Sequence, residues 1–301
     1  MSYLCSDHDV PIGLITAAIS GAWLKQWLKS ANNHYAGMIS TVSAATRGTM
    51  KVRALLWFQG EADCNPSAQY AGLSFDGDHD LYLASLNAFV ADVHRDMSLD
   101  TVYVGSIGNV PHFISGQELS NRENIYGIRR ALQSSWSNPR VSPGPVTYDI
   151  ALDTDSIHIH FNSPEEMIPF SKWWAAAISE FTYGVGAGRG PILQGAQLAA
   201  DDRTVTLTFD QDLAVSDFKD IPGTTVEGWS FEIDGTLLTA ADIISATAAQ
   251  NAVTVFLRAP VAGNLTVSYG IDDDGAGRKI IRGLTGLPAE PIYRVPVNPG
   301  G

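Results

Sequence analysis

Apolar residues come in two textures along this chain, and the change falls near residue 185. In the first part, uninterrupted apolar runs alternate with stretches of helical period. Residues 10–18, 52–58, 101–107 and 146–152 each have the length and content of a buried strand in a parallel sheet. Between them, residues 22–29 put Trp23, Leu24, Trp27 and Leu28 on one helical side. Residues 80–97 gather Tyr82, Leu86, Phe89, Val90 and Val93 on one face, and residues 121–136 read as another helix. Ser163-Pro164-Glu-Glu166 is a capping box with proline in the first turn, and it starts a helix running to about Tyr183. Strands alternating with helices imply parallel pairing through right-handed crossovers. The expectation for residues 1–185 is a three-layer α/β domain with a parallel sheet.

Gly184-Val-Gly-Ala-Gly-Arg-Gly-Pro191 then breaks the composition, as a linker would. Beyond it the period drops to two. Thr204-Val-Thr-Leu-Thr-Phe209 sends Val205, Leu207 and Phe209 to one side, and the runs over 251–257 and 264–269 repeat the manner. Short alternating strands between Asp- and Gly-rich turns predict a small antiparallel β-sandwich, of the immunoglobulin-like kind, over residues 190–297. A short helical piece near Thr239 is the one interruption expected.

Composition narrows the functions. The chain has 301 residues, 45% hydrophobic and 17% charged, ample for a core. Its net charge of -13 argues against a nucleic-acid partner, which would want a basic face. No apolar run is long enough to span a membrane, and the first residues do not resemble a signal peptide, so the compartment stays open. Cys5 and Cys64 give no disulfide framework. Asp76-Gly-Asp-His-Asp80 alternates carboxylates like a calcium loop, but Leu81 and Asn87 stand where that loop needs Gly and Glu. It reads as a polar turn capping the next helix, and Asp272-Asp-Asp-Gly275 likewise as a turn. No cofactor is expected.

The chemistry concentrates at Ala54-Leu-Leu-Trp-Phe-Gln-Gly-Glu-Ala-Asp63, an apolar strand breaking into polar residues where ligands bind in open α/β sheets. Trp-Phe-Gln-Gly-Glu-x-Asp resembles the central motif of the sialate O-acetylesterase-like carbohydrate esterases, a branch of the SGNH hydrolases. Val10-Pro-Ile-Gly-Leu-Ile15, then Ser20-Gly21 and Trp27, resembles the family's strand, turn and following Trp. Asp155-Ser-Ile-His158 resembles its Asp-x-x-His block, and Tyr35-Ala-Gly-Met-Ile39 is a smaller echo. The resemblance implies an SGNH, flavodoxin-like fold over roughly residues 10–182. It also implies removal of O-acetyl groups from a carbohydrate by a Ser-His-Asp mechanism.

Under that chemistry His158 is the base and Asp155 its orienter, while Gln59 and the backbone N–H of Gly21 are the oxyanion donors. His160 competes with His158, because both point the same way in an extended segment. Two such histidines could also ligate a metal, but no third ligand is convincingly spaced. Glu61 and Asp63 sit in one turn, so they cannot flank a sugar bond as a glycosidase pair does. They read as supports that hold the turn and pair with Arg or backbone N–H. Trp57, Phe58, Trp173 and Trp174 are most simply core.

The sequence departs from the family at the nucleophile. The family carries its serine in a Gly-Gln-Ser-Asn-like turn after a strand upstream of the Val10 run, where this sequence shows only residues 1–9. That strand would lie between the runs at Val10 and Val52, so a gap with unpaired backbone groups is expected there. An upstream segment or a partner chain would then supply the serine. Ser20 stands where the family has Gly and Ala22 where it has Thr. Ser20 precedes a glycine at a strand-to-helix turn and is the alternative nucleophile, ahead of Ser2 and Ser6. Against hydrolysis stands a second class of function, a non-catalytic glycan-binding or structural module of a surface or virion protein.

Overall fold

The computed structural model describes residues 4–5, 8–31, 34–64, 72–108, 118–150, 161, 163–214, 229–270 and 281–299, without the side chains of 118–122 and 240. Asp155, His158, His160, Ser2, Ser6 and the turn at Asp272 lie outside these residues. The chain divides into two compact units, one of Met1–Thr147 with Leu152–Gly188 and one of Tyr148–Ala151 with Arg189–Gly301.

The first unit carries helices α1 (Leu24–Trp27), α2 (His34–Ala45), α3 (His79–Asp96), α4 (Glu118–Ser134) and α5 (Pro164–Tyr183). Its strands β1 (Ala54–Trp57), β2 (Thr101–Ser106) and β3 (Val141–Val146) form one parallel sheet in the order β1-β2-β3. Trp57 points to one face of β1 and packs on Phe89 of α3 and Trp27 of α1, with ring centroids 4.5 and 5.7 Å apart. Phe58 points to the other and meets Phe170 of α5 at 5.1 Å. Helices on both faces explain why the run is apolar without alternation.

Helix α3 buries Tyr82, Leu86, Phe89, Val90 and Val93, the five residues its period gathers on one face. The carboxylate of Asp78 caps it, accepting the Leu81 N–H at 2.9 Å, so Asp76–Asp80 serves the helix start. Helix α5 begins at the capping box, where the Ser163 N–H donates to Glu166 Oε2 at 3.0 Å. It ends at Gly184, whose φ of 68° is the left-handed turn a glycine takes readily.

Two expectations need correction. Residues 10–18 form no strand. Ile15 and Ala17 pack toward the core while Leu14 is 63% exposed, so the alternation survives without the pairing. A strand needs a neighbour to take its backbone hydrogen bonds, and among the described residues none bonds this segment. The last parallel strand runs over Val141–Val146, and Thr147 to Ile150 is turn. Its Val-Ser-Pro-Gly-Pro-Val sequence hides it, because proline signals a break. Arg140 O accepts the Val102 N–H, so strand alternation aims Pro143 away from β2, while Pro145 falls where the register with β2 shifts by one residue. Gly144 fits because an added Cβ would stand 2.6 Å from the Gly105 nitrogen.

Among the described residues the second unit is built of strands apart from one helical turn. Strands β4 (Leu193–Leu198), β5 (Thr204–Phe209), β8 (Ile243–Ala249), β9 (Ala252–Leu257) and β12 (Asn298–Pro299) make a sheet in the order β12-β4-β5-β9-β8, antiparallel except at β12. Strands β6 (Trp229–Ile233), β7 (Thr236–Leu237), β10 (Leu265–Tyr269) and β11 (Ile292–Pro296) make an antiparallel sheet in the order β11-β10-β6-β7. Val205, Leu207 and Phe209 are buried as their period requires, and a single helical turn at Ala240–Asp242 interrupts the strands. Tyr148 belongs here, donating its hydroxyl to Ala289 O at 2.8 Å, and Asp149 pairs with Arg282 at 2.8 Å.

Candidate active site

At the carboxyl end of β1 the chain turns through Gln59, Gly60 and Glu61 into a helical turn, Ala62–Cys64. Gly60 has φ 154°, and a Cβ there would come within 2.7 Å of Ile128 Cγ2 on α4. Only glycine fits this approach. The Gly60 carbonyl then accepts the N–H groups of Asp63 and Cys64 at 3.0 and 3.1 Å, which closes the turn.

Asp63 is fully buried and organises what surrounds it. Its Oδ2 accepts the Leu24 N–H at 3.0 Å, at the first turn of α1, and Gln59 Nε2 at 2.7 Å. Gln59 Nε2 also donates to Ala22 O at 3.1 Å, and its Oε1 accepts the Tyr82 hydroxyl at 2.8 Å. The two turns quoted from the sequence, Ser20-Gly21 and Gln59-Gly-Glu, are thereby tied together across 37 residues. Ser20 and Gly21 are exposed in that first turn, where Gly21 has φ 67°. The Gly21 N–H takes no acceptor among the described residues.

Burial pushes the Asp63 carboxyl up to about 6, against the opposing pull of the Leu24, Gln59 and Phe75 donors and of the Lys25 charge. Glu61, half-buried in the same turn, is also pushed up to about 6. Desolvation is again the main cause; the N–H groups of Glu61 and Gly60 oppose it, and the negative charge of Asp63 adds to it. Asp63 does pair with backbone N–H, as its place in the motif suggests, while its side-chain partner is Gln59 rather than an arginine. Burial likewise raises the thiol of Cys64 and the phenol of Tyr82, so both stay protonated at neutral pH. Both cysteines are free thiols.

Two participants were not legible in the sequence. Tyr82 reads there only as part of an apolar helix face, yet its hydroxyl fixes the orientation of the Gln59 amide. Arg129, on α4, is buried and donates its Nε to Ile107 O at 3.0 Å. An arginine inside an apolar helical period was the one signal available. Among the described residues, no group of three His, Cys, Asp or Glu side chains could hold a metal, and no helix is long and apolar enough to cross a membrane.

A model of the family described as carbohydrate esterase, sialic acid-specific acetylesterase, matches residues 2–175, more than half of the chain. The chain belongs to this family. The match spans the Ser20-Gly21 turn, the Gln59-Gly-Glu turn and the Asp155–His158 block. Among solved structures, the N-terminal part of the bacterial S-layer protein SbsC aligns at 12% identity and a TM-score of 0.26, over 91% of this chain and 53% of that one. The S-layer protein rSbsC(31-844) aligns at 11% identity and 0.27, over 91% of this chain and 40% of that one. Domains 1-6 of surface layer protein SbsC align at 14% and 0.25, over 89% and 40%. The chain thus spans about half or less of these proteins, and the similarity is too slight to carry an argument. No curated protein matches it.

Proposed function

We propose that this chain is the scaffold of a carbohydrate O-acyl esterase that removes acetyl groups from a sugar of the sialic acid type. The supporting observation is the Gln59 bridge, which holds the Ser20-Gly21 turn against the motif turn through Ala22 O and Asp63. An acyl-transfer site needs N–H donors converging on the developing oxyanion. The Gly21 N–H is one. The second is a Gln59 Nε2 hydrogen, released from Ala22 O when the oxyanion forms, while Asp63 retains the other. His158 takes the proton of the attacking hydroxyl through Nε2, and Asp155 accepts from Nδ1–H. The hydroxyl comes from a serine carried on a strand outside the residues described here, and Ser20 stays at the oxyanion turn. Domains at residues 1–185, of SGNH type, and 190–297, an immunoglobulin-like sandwich, complete this proposal.

Acetate release from O-acetylated sialic acid, with the serine-bearing segment supplied, tests the assignment. His158→Ala should lower turnover by several orders of magnitude and His160→Ala far less. Equal losses, restored by zinc, would overturn it in favour of a metal site.

A further inference from the structure

A sheet edge is an open row of backbone N–H and C=O groups, and folded proteins guard theirs with short strands, prolines or charges. Among the described residues the sheets of the second unit end at β12 and β8 in one case and at β11 and β7 in the other. All but one of these edges are guarded. Strand β12 has two residues and ends in Pro299, β7 has two, and β11 carries Arg294 and closes on Pro296. Strand β8 is the exception: its seven residues, Ile243-Ile-Ser-Ala-Thr-Ala-Ala249, hold no charge, no proline and no glycine. Which of its groups lie open follows from its neighbour β9. Arg203 O accepts the Leu257 N–H and Asp242 O accepts the Arg258 N–H, so along β9 the odd residues bond β5 and the even ones bond β8. Thr254 and Phe256 stand opposite Thr247 and Ser245, which leaves the N–H and C=O of Ala246 and Ala248 on the outer side. No backbone group among the described residues bonds them there.

We propose that this edge binds the same edge of a second copy of the chain, β8 against β8, antiparallel about a two-fold axis. The register is set from both ends. Pairing with β9 shifts between Ile243 and Ser245, and the turn at Gln250 follows Ala249, so the regular stretch is Ser245–Ala249 with Thr247 at its centre. Self-pairing about Thr247 puts Ser245 opposite the second copy's Ala249, and Ala246 opposite its Ala248. The alanine pairs are then the bonded ones, each exchanging both hydrogen bonds through groups that are otherwise open. Thr247 meets its own counterpart in the closer, non-bonded pair, an arrangement that threonines favour. Only small side chains face one another, so nothing obstructs the approach. Charge points to the same occupant. Two bodies of net charge -13 repel, and β8 offers them a neutral edge on which to meet. A cationic strand from another protein would find no carboxylate on β8 to select it. The contact uses the same patch on both copies, so it closes at a dimer.

The test is sedimentation of the intact chain over a range of concentrations, with hydrogen exchange read amide by amide. The expected result is a reversible monomer–dimer equilibrium that tightens as salt screens the net charge. Exchange at Ala246 and Ala248 should slow at least tenfold where the dimer dominates, while Thr247, already bonded to β9, changes little. Thr247 is exposed, so Thr247→Lys and Thr247→Glu should leave the melting temperature of the monomer unchanged. Each should weaken the dimer at least tenfold by setting like charges opposite one another, and an equal mixture of the two should restore a heterodimer. A chain that stays monomeric, a dimer indifferent to both variants, a mixture that restores nothing, or protection that does not change with concentration would overturn the proposal. Protection of Ala246 by an added peptide of alternating Val and Thr, but not by rising chain concentration, would overturn the second copy as occupant.

Discussion

Asp63 Oδ2 accepts the backbone N–H of Leu24 at 3.0 Å, so the last residue of the central motif fixes the start of a helix 39 residues earlier. That one carboxylate oxygen also takes a Gln59 hydrogen, and the geometry of both turns depends on it. Asp63→Ala would leave two donors unpaired in a dry place, for a loss of about 2–4 kcal/mol in a denaturant titration. Asp63→Asn, which keeps an oxygen there, should lose clearly less. Equal stability of the Ala variant and the native chain would count against this role.

Tyr82 holds the other end of the Gln59 amide. Tyr82→Phe removes one hydrogen bond to Oε1 and one, at 3.1 Å, to the Gln59 carbonyl. Stability should fall by about 1 kcal/mol. With its amide less firmly held, Gln59 should donate less well to the oxyanion, so kcat should drop about tenfold with KM little changed. An unaltered kcat would mean that Tyr82 serves packing alone.

The raised Asp63 carboxyl has a pH signature. Its folded value of about 6 lies above the ordinary range near 4, so the native state holds the proton more tightly than the unfolded one. The contribution of this group to stability is therefore greatest below pH ~4 and declines as pH rises toward ~6, by on the order of 3 kcal/mol. Glu61 acts in the same direction. Melting temperatures from pH 4 to 7 should fall more steeply for the native chain than for Glu61→Gln/Asp63→Asn. Parallel curves would remove the buried pair from the account of stability.

The second unit takes in Tyr148–Ala151 as well as Arg189–Gly301. A fragment of residues 189–301 should melt cooperatively, but below the temperature of this unit in the whole chain, because Tyr148 and Asp149 are left behind. A fragment without a cooperative melt would contradict the domain proposal.

How much was legible follows from where periodicity controls structure. Helix α3 could be read because five apolar residues at helical spacing all reach the core, and its Asp78 cap is local chemistry. Helix α5 announced itself through Ser163, Pro164 and Glu166. Strand β3 could not be read, since Pro143 is tolerated by facing away from β2 and Pro145 by a shift in register, and both are properties of the sheet. The segment over 10–18 has strand composition, but composition supplies no partner. Helix α2 went unforeseen beyond its Tyr35 echo, for Gly37, Ser40, Thr41 and Ser43 dilute its apolar period. At the site, Gln59, Glu61 and Asp63 stood out as polar residues breaking an apolar run, and Gly21 through the resemblance of its turn to the family's. Tyr82 did not, because a hydroxyl at the end of a buried ring leaves no trace in hydrophobic spacing.

The most direct test of the proposed chemistry is fluorophosphonate labelling, which reports activated serines only. The 301-residue chain is incubated with a peptide carrying the serine-bearing segment of the esterase proposal, and the labelled residue is mapped by mass spectrometry. The expected result is a label on the peptide serine that disappears in His158→Ala, with Ser20 untouched. A label on Ser20, or one that survives loss of His158, would contradict it.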